Sequence, residues 1–112
     1  MSRSQRNKGS QGEREWTKLL GAAGVSAKRA LGQARDGGGD VPAAPFLWEV
    51  KRHARFAVYE HLDQATAAAP QYDGCTIPAV ALRGDNREWL VVMRAVDALP
   101  FLYPATKLED LL

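Results

Sequence analysis

The sequence predicts an α/β domain in which a mixed β-sheet is flanked by helices. Three observations carry this. Near the amino terminus an apolar stripe recurs at helical spacing and stops at a glycine, residues 46 to 51 alternate as a strand does, and a second helical stretch is followed by two more apolar strands. With 112 residues and 46% apolar content, the chain is large enough for one core and too small for two.

The first helix is expected from about residue 10 to residue 23. Trp16, Leu19, Leu20 and Ala23 follow its spacing, and Gly24 is a suitable C-cap. Ser10-x-x-Glu13 has the form of a capping box, in which the serine closes the N3 amide and the glutamate reaches back to the cap amide. Glu13 also lies one turn before Trp16, so it borders the apolar stripe.

Next comes Asp36-Gly37-Gly38-Gly39-Asp40-Val41, whose glycines allow positive φ or close approach to a ligand. The stretch from Pro42 to Pro45 reads as a turn that returns the chain antiparallel, bringing Asp40 beside Glu49. On the returning strand Phe46, Trp48 and Val50 point one way and Leu47, Glu49 and Lys51 the other. Two carboxylates side by side repel unless they share a proton or a divalent cation. Hard oxygen ligands suit magnesium or manganese, which keep several waters and bind phosphate oxygens. A lysine on the same face can offset charge on a phosphate or position a water.

A short basic loop with Arg52, His53 and Arg55 leads into a second helix over residues 56 to 69, stopped by Pro70. Phe56, Tyr59, Leu62 or Asp63, and Thr66 share one face of it, while His61, Gln64 and Ala68 lie on another. Its alanines permit close packing. Residues 76 to 83 and 87 to 94 form a hairpin through Gly84-Asp85-Asn86. Val80 and Leu82 alternate in its first strand, and the unbroken apolar run from Leu90 to Met93 predicts a central strand covered on both faces. The tail, with Phe101, Leu102, Tyr103, Leu108, Leu111 and Leu112, is too apolar to stay in water and is expected to close over its own core or across a dimer interface. The expected order is helix, three-stranded meander, helix, two-stranded hairpin and apolar tail.

Asp40, Glu49 and Lys51 resemble the Asp…Glu-x-Lys core of the PD-(D/E)XK nuclease superfamily. Lys8-Gly9-Ser10-Gln11-Gly12-Glu13-Arg14 is similar to the amino-terminal Lys-Gly-Ser-x-x-Glu-Arg motif of archaeal-type Holliday junction resolvases. The resemblance covers roughly residues 6 to 69. It implies a restriction-endonuclease-like core, a magnesium-dependent endonuclease acting on DNA junctions to leave a 5′-phosphate, and a homodimer. The matching positions Glu13, Asp40, Glu49 and Lys51 would form the active site. Asp40, Glu49 and the Val50 carbonyl would hold Mg2+, or Mn2+ in its place, with Ser10 and Gln64 as supporting residues. A nicking or flap endonuclease of the same superfamily, or a DNA-binding module of that fold without catalysis, are the competing readings.

Charge is distributed unevenly. Residues 1 to 35 carry eight basic and two acidic side chains, net +6, and the remainder seven and eleven, net −4. This asymmetry predicts a DNA-facing side built from Arg3, Arg6, Lys8, Arg14, Arg29, Arg35, Arg52 and Arg55. Residues 1 to 7 are expected to form a flexible basic arm and residues 8 to 112 a single nuclease domain. The polar start and the lack of a long apolar stretch predict neither a secretory signal nor a membrane span. Cys75 is the one cysteine, so no internal disulfide can form, and a cytoplasmic protein is expected. His53 and His61 do not have the spacing of a zinc pair.

Overall fold

Helix α1 spans Arg3–Ala22 and lies across the first two strands of the sheet. The computed structural model describes residues 3–29, 38–52, 57–105, 107 and 109, with side chains from Lys8 onward. Within α1 the buried positions are Gly9, Gly12, Glu13 and Trp16, with Leu20 half-buried; these fall three or four apart and define one face. The helix ends as Gly24 predicts. Gly24 has φ +87°, Val25 N–H donates to the Leu20 carbonyl at 2.8 Å, and Gly24 N–H donates to that of Gly21 at 3.0 Å. This is the Schellman arrangement, which satisfies the last carbonyls of a helix.

The start of α1 differs from expectation. It begins at Arg3, seven residues ahead of Ser10, so Ser10 is an interior residue and the capping box does not form. Residues 10 to 13 find their amide partners one turn back in the helix and leave no orphan N–H for a serine to close.

Strand β1 (Gly38–Ala43) pairs antiparallel with β2 (Phe46–Arg52). The turn between them is tighter than anticipated: Ala44 and Pro45 alone make it, and Pro42 lies inside β1 opposite Leu47. A proline is tolerated there because β1 is an edge strand and need donate to one side only. Helix α2 (Val58–Ala68) and a 3-10 turn (Ala69–Gln71) then carry the chain across to β3 (Ile77–Arg83), parallel to β2. Strand β4 (Leu90–Met93) returns antiparallel to β3, and α3 (Ala95–Leu102) follows. The sheet order is β1-β2-β3-β4. The fold is therefore α/β, with a four-stranded mixed sheet flanked by helices. Two strands, not three, precede α2 among the described residues.

Each face of the sheet has its own core. Toward α1, Trp16, Val41, Trp48, Val50, Ala79 and Ala81 pack together, with the Trp16 and Trp48 rings edge-to-face at 4.9 Å. Toward α2, Leu47 meets Ala65, Ala68, Ala69 and Cys75. The alternation of β2 assigns Trp48 and Val50 to one core and Leu47 to the other, as its sequence pattern predicts. Cys75 is buried, and burial raises its thiol pKa.

The face of α2 that packs is His61, Ala65 and Ala68, while Tyr59 is 85% exposed; the alanines give the close approach to the sheet that their small size permits. Phe56 lies outside the described residues. One further expectation is corrected: the central strand of the second hairpin is β3, buried from Pro78 to Leu82, and the apolar run of β4 is the sheet edge, with Leu90 50% and Val91 54% exposed. β3 occupies the centre because it pairs with both β2 and β4; among the described residues no strand lies beyond β4. Phe101, Leu102 and Tyr103 of the apolar tail are exposed, and Leu108, Leu111 and Leu112 lie outside the described residues. Among the described residues no helix is long and apolar enough to cross a membrane.

Candidate active site

The hairpin register sets Asp40 directly opposite Glu49. Paired residues of an antiparallel ladder share a face, so Asp40 joins Glu49 and Lys51 on the side covered by α2. Lys51 Nζ lies 3.2 Å from Glu49 Oε1. From the far end of the crossover, the Tyr72 hydroxyl donates to Asp40 Oδ2 at 2.9 Å. Glu13 approaches from α1, close enough to raise its own pKa through the charge of Asp40.

These groups are almost fully enclosed. Glu13, Asp40, Glu49 and Lys51 are at most 2% exposed. Among the described residues, both carboxylate oxygens of Glu13, both of Glu49 and Lys51 Nζ lack a hydrogen bond of good geometry. Buried charges without partners are costly, and here the cost appears as displaced titration. Burial foremost, with the adjacent Asp40 carboxyl, raises Glu49 from 4.5 to about 8, against the pull of Lys51. Burial likewise raises Glu13 to about 7; Arg29 lowers it, Asp40 raises it, and Arg14 lowers it again. Arg29 Nε stands 3.8 Å from Glu13 Oε1. The carboxyls of Glu13 and Glu49, both raised in pKa by burial, and that of Asp40 are thus concentrated at one place in the fold.

The donor set fits a small hard cation. Two facing carboxylates, Asp40 and Glu49, are oxygen ligands of the kind magnesium accepts while retaining water. The orphaned Glu49 oxygens are the observation in favour. Among the described residues no group of three or more His, Cys, Asp and Glu side chains is arranged to hold an ion, so water would complete any coordination shell here.

Other expected site residues are placed differently. Ser10 is half-buried in the third turn of α1. Gln64 is half-buried on α2, and among the described residues its buried Oε1 has no hydrogen bond to either carboxylate. Arg52 is buried and engaged internally: Nη1 donates to Glu15 Oε1 at 2.7 Å, and Nη2 lies 3.6 Å from Asp85. Arg83 Nη1 shares Glu15 at 2.9 Å, and Lys8 pairs with Asp85 at 3.0 Å. This network clamps α1 to the ends of β2 and β3. Arg14 is exposed and Arg29 half-buried. Arg3 and Arg6 belong to the first turns of α1, while Arg35, His53 and Arg55 lie outside the described residues.

Sequence reasoning missed Tyr72 and Glu15. Tyr72 stands 32 positions from Asp40 and no local spacing connects them. Glu15 had a weak signal, as an acid on α1 next to the buried stripe.

The sequence matches none of the protein families and none of the curated proteins with which it was compared.

Proposed function

We propose that this protein is a metal-dependent endodeoxyribonuclease of the PD-(D/E)XK type, acting on branched DNA and on four-way junctions in particular. One observation carries the reading: Asp40 and Glu49 face each other across the hairpin, with Lys51 on the same face 3.2 Å from Glu49 and all three buried. The order of elements agrees with it. A hairpin bearing the acids, a crossover helix and a parallel strand form the kind of mixed, helix-flanked sheet that a restriction-endonuclease-like core requires.

In this reading Asp40, Glu49 and the Val50 carbonyl would hold Mg2+ or Mn2+. When bound, the ion supplies a water of lowered pKa and polarises a non-bridging phosphate oxygen. The chain's own groups do the rest. Tyr72 orients Asp40 by its hydrogen bond. Lys51 offsets the charge of Glu49 and would donate to the attacking water or the scissile phosphate. Glu13, titrating at about 7, can accept a proton near neutral pH. Arg14 on the surface of α1, with Arg3 and Arg6 on its first turns, supplies charge for the phosphate backbone.

The test is cleavage of a four-way junction, a flap, a nicked duplex and a linear duplex, with and without magnesium, by the wild type and by Asp40→Asn. Magnesium-dependent, symmetric paired cuts in the junction, abolished by Asp40→Asn with binding retained, are expected. Cleavage by Asp40→Asn at the wild-type rate would remove the proposed site. Cuts confined to flap or nick would leave a nuclease that is not a resolvase.

A further inference from the structure

Among the described residues strand β4 has a neighbour on one side only, β3. The outward N–H and C=O groups of Leu90–Met93 meet no strand among them. Natural sheet edges usually carry a charge, a proline or a bulge that discourages pairing. Leu-Val-Val-Met has neither charge nor proline, and its register with β3 runs from Ala79↔Met93 to Leu82↔Leu90 without a bulge. Val91 and Met93 face the α1 side, opposite Ala81 and Ala79. There they join Phe46, Ala98, Phe101 and Leu102 around an apolar groove of about 430 Å³. With Val91 54% and Phe101 58% exposed, an apolar patch is continuous with an open strand edge, and such patches mark interaction sites.

We infer that β4 pairs antiparallel with β4 of a second copy of this chain, about a two-fold axis at Val91, to make one eight-stranded sheet. The flanking charges select this occupant and this register. A two-fold axis normal to the sheet must pass a residue that meets its own copy. Centred on Val91, the pairing sets Glu88 of each chain opposite Arg94 of the other, three residues to either side. Centred on Val92, it would set Arg94 opposite Leu90 and leave the charges unmatched. Both groups are available: Glu88 and Arg94 are exposed, and Arg94 is already extended, with φ −65° and ψ 139°. Their present partners, Arg87 at 3.5 Å and Asp97 at 2.8 Å, are surface contacts of small worth. Val91 and Phe101 of the two copies would then close the groove from both sides.

The interface stands without the nuclease reading. Joined to it, the interface has a consequence for that site: five strand spacings separate the two β2 strands, so the two Asp40–Glu49 pairs would lie on one face of the sheet roughly 24 Å apart before twist.

Sedimentation equilibrium of the full chain over a dilution series tests the proposal without any assay of activity. A reversible dimer is expected. Val91→Lys brings two like charges together at the axis and should raise the dissociation constant at least about tenfold, with circular dichroism unchanged, and thermal midpoint unchanged at dilutions where both proteins are monomeric, because Val91 is exposed in the single chain. Glu88→Arg should weaken the dimer, and the double reversal Glu88→Arg with Arg94→Glu should restore it. A monomer at every concentration overturns the proposal and leaves the groove to the chain's own last residues or to a different protein. A dimer indifferent to Val91→Lys, or a double reversal that restores nothing, overturns it equally.

Discussion

Replacing Glu49 by glutamine separates the cost of burying a charge from the chemistry that charge serves. In the folded protein burial and the neighbouring Asp40 carboxyl raise Glu49 from 4.5 to about 8, although Lys51 pulls the other way. The unfolded chain releases this proton near the lower value. Between the two, the native state binds the extra proton, so the stability that Glu49 contributes is complete below about pH 4.5 and is lost as pH rises through about 8. Each pH unit in that interval is worth about 1.36 kcal/mol. The full loss is then at most about 5 kcal/mol, a figure that already contains the opposing pull of Lys51. Glutamine has no proton to lose. Urea unfolding of both proteins in a chelator, from about pH 5 to about pH 9, should show the variant gaining roughly 4 kcal/mol on the wild type. Magnesium added at the alkaline end should stabilise the wild type and not the variant, since an ion bound only by the native carboxylates shifts the folding equilibrium. A stability difference that stays flat with pH would refute the reasoning, whatever the effect on cleavage.

Glu13→Gln should be at least as stable as wild type above pH 7, because Glu13 also pays for burial with a raised pKa, yet should cut magnesium-dependent cleavage at least about tenfold; an unchanged rate would confine Glu13 to structure. Tyr72→Phe removes the donor to Asp40 Oδ2 and should cost about 1 to 3 kcal/mol in urea unfolding, with a lowered cleavage rate at saturating DNA. Unchanged stability would mean that the hydroxyl is replaced by water. Gly12→Ala would place a Cβ 2.6 Å from Arg52 Cγ, on a side chain already held by Glu15; the expected loss of about 1 to 3 kcal/mol exceeds the gain in helix propensity of about 1, and a raised thermal midpoint would show that the α1 to β2 contact yields more easily than this.

Where the cause is local, the sequence was sufficient. The alternation from Phe46 to Lys51 separates the two cores because strand side chains reverse at every residue, and the turn residues that follow Val41 make the return that sets Asp40 against Glu49. Gly24 ends α1 for a reason contained in its own backbone. The start of α1 was misjudged at Ser10, since a cap motif competes with whatever helix can extend ahead of it. The packed face of α2 and the edge position of β4 depend on which strand takes the centre of the sheet, and hydrophobicity alone does not rank two apolar strands. Most of the electrostatic setting was also beyond sequence reading: Tyr72 reaches Asp40 from 32 positions away, and Glu15 binds Arg52 and Arg83 across 37 and 68. Spacing records which groups a turn or a strand brings together. The contacts that enclose Glu49 and shift its proton arise only when helix and crossover close on the sheet, because desolvation is a property of the packed volume around a group and not of its neighbours in the chain.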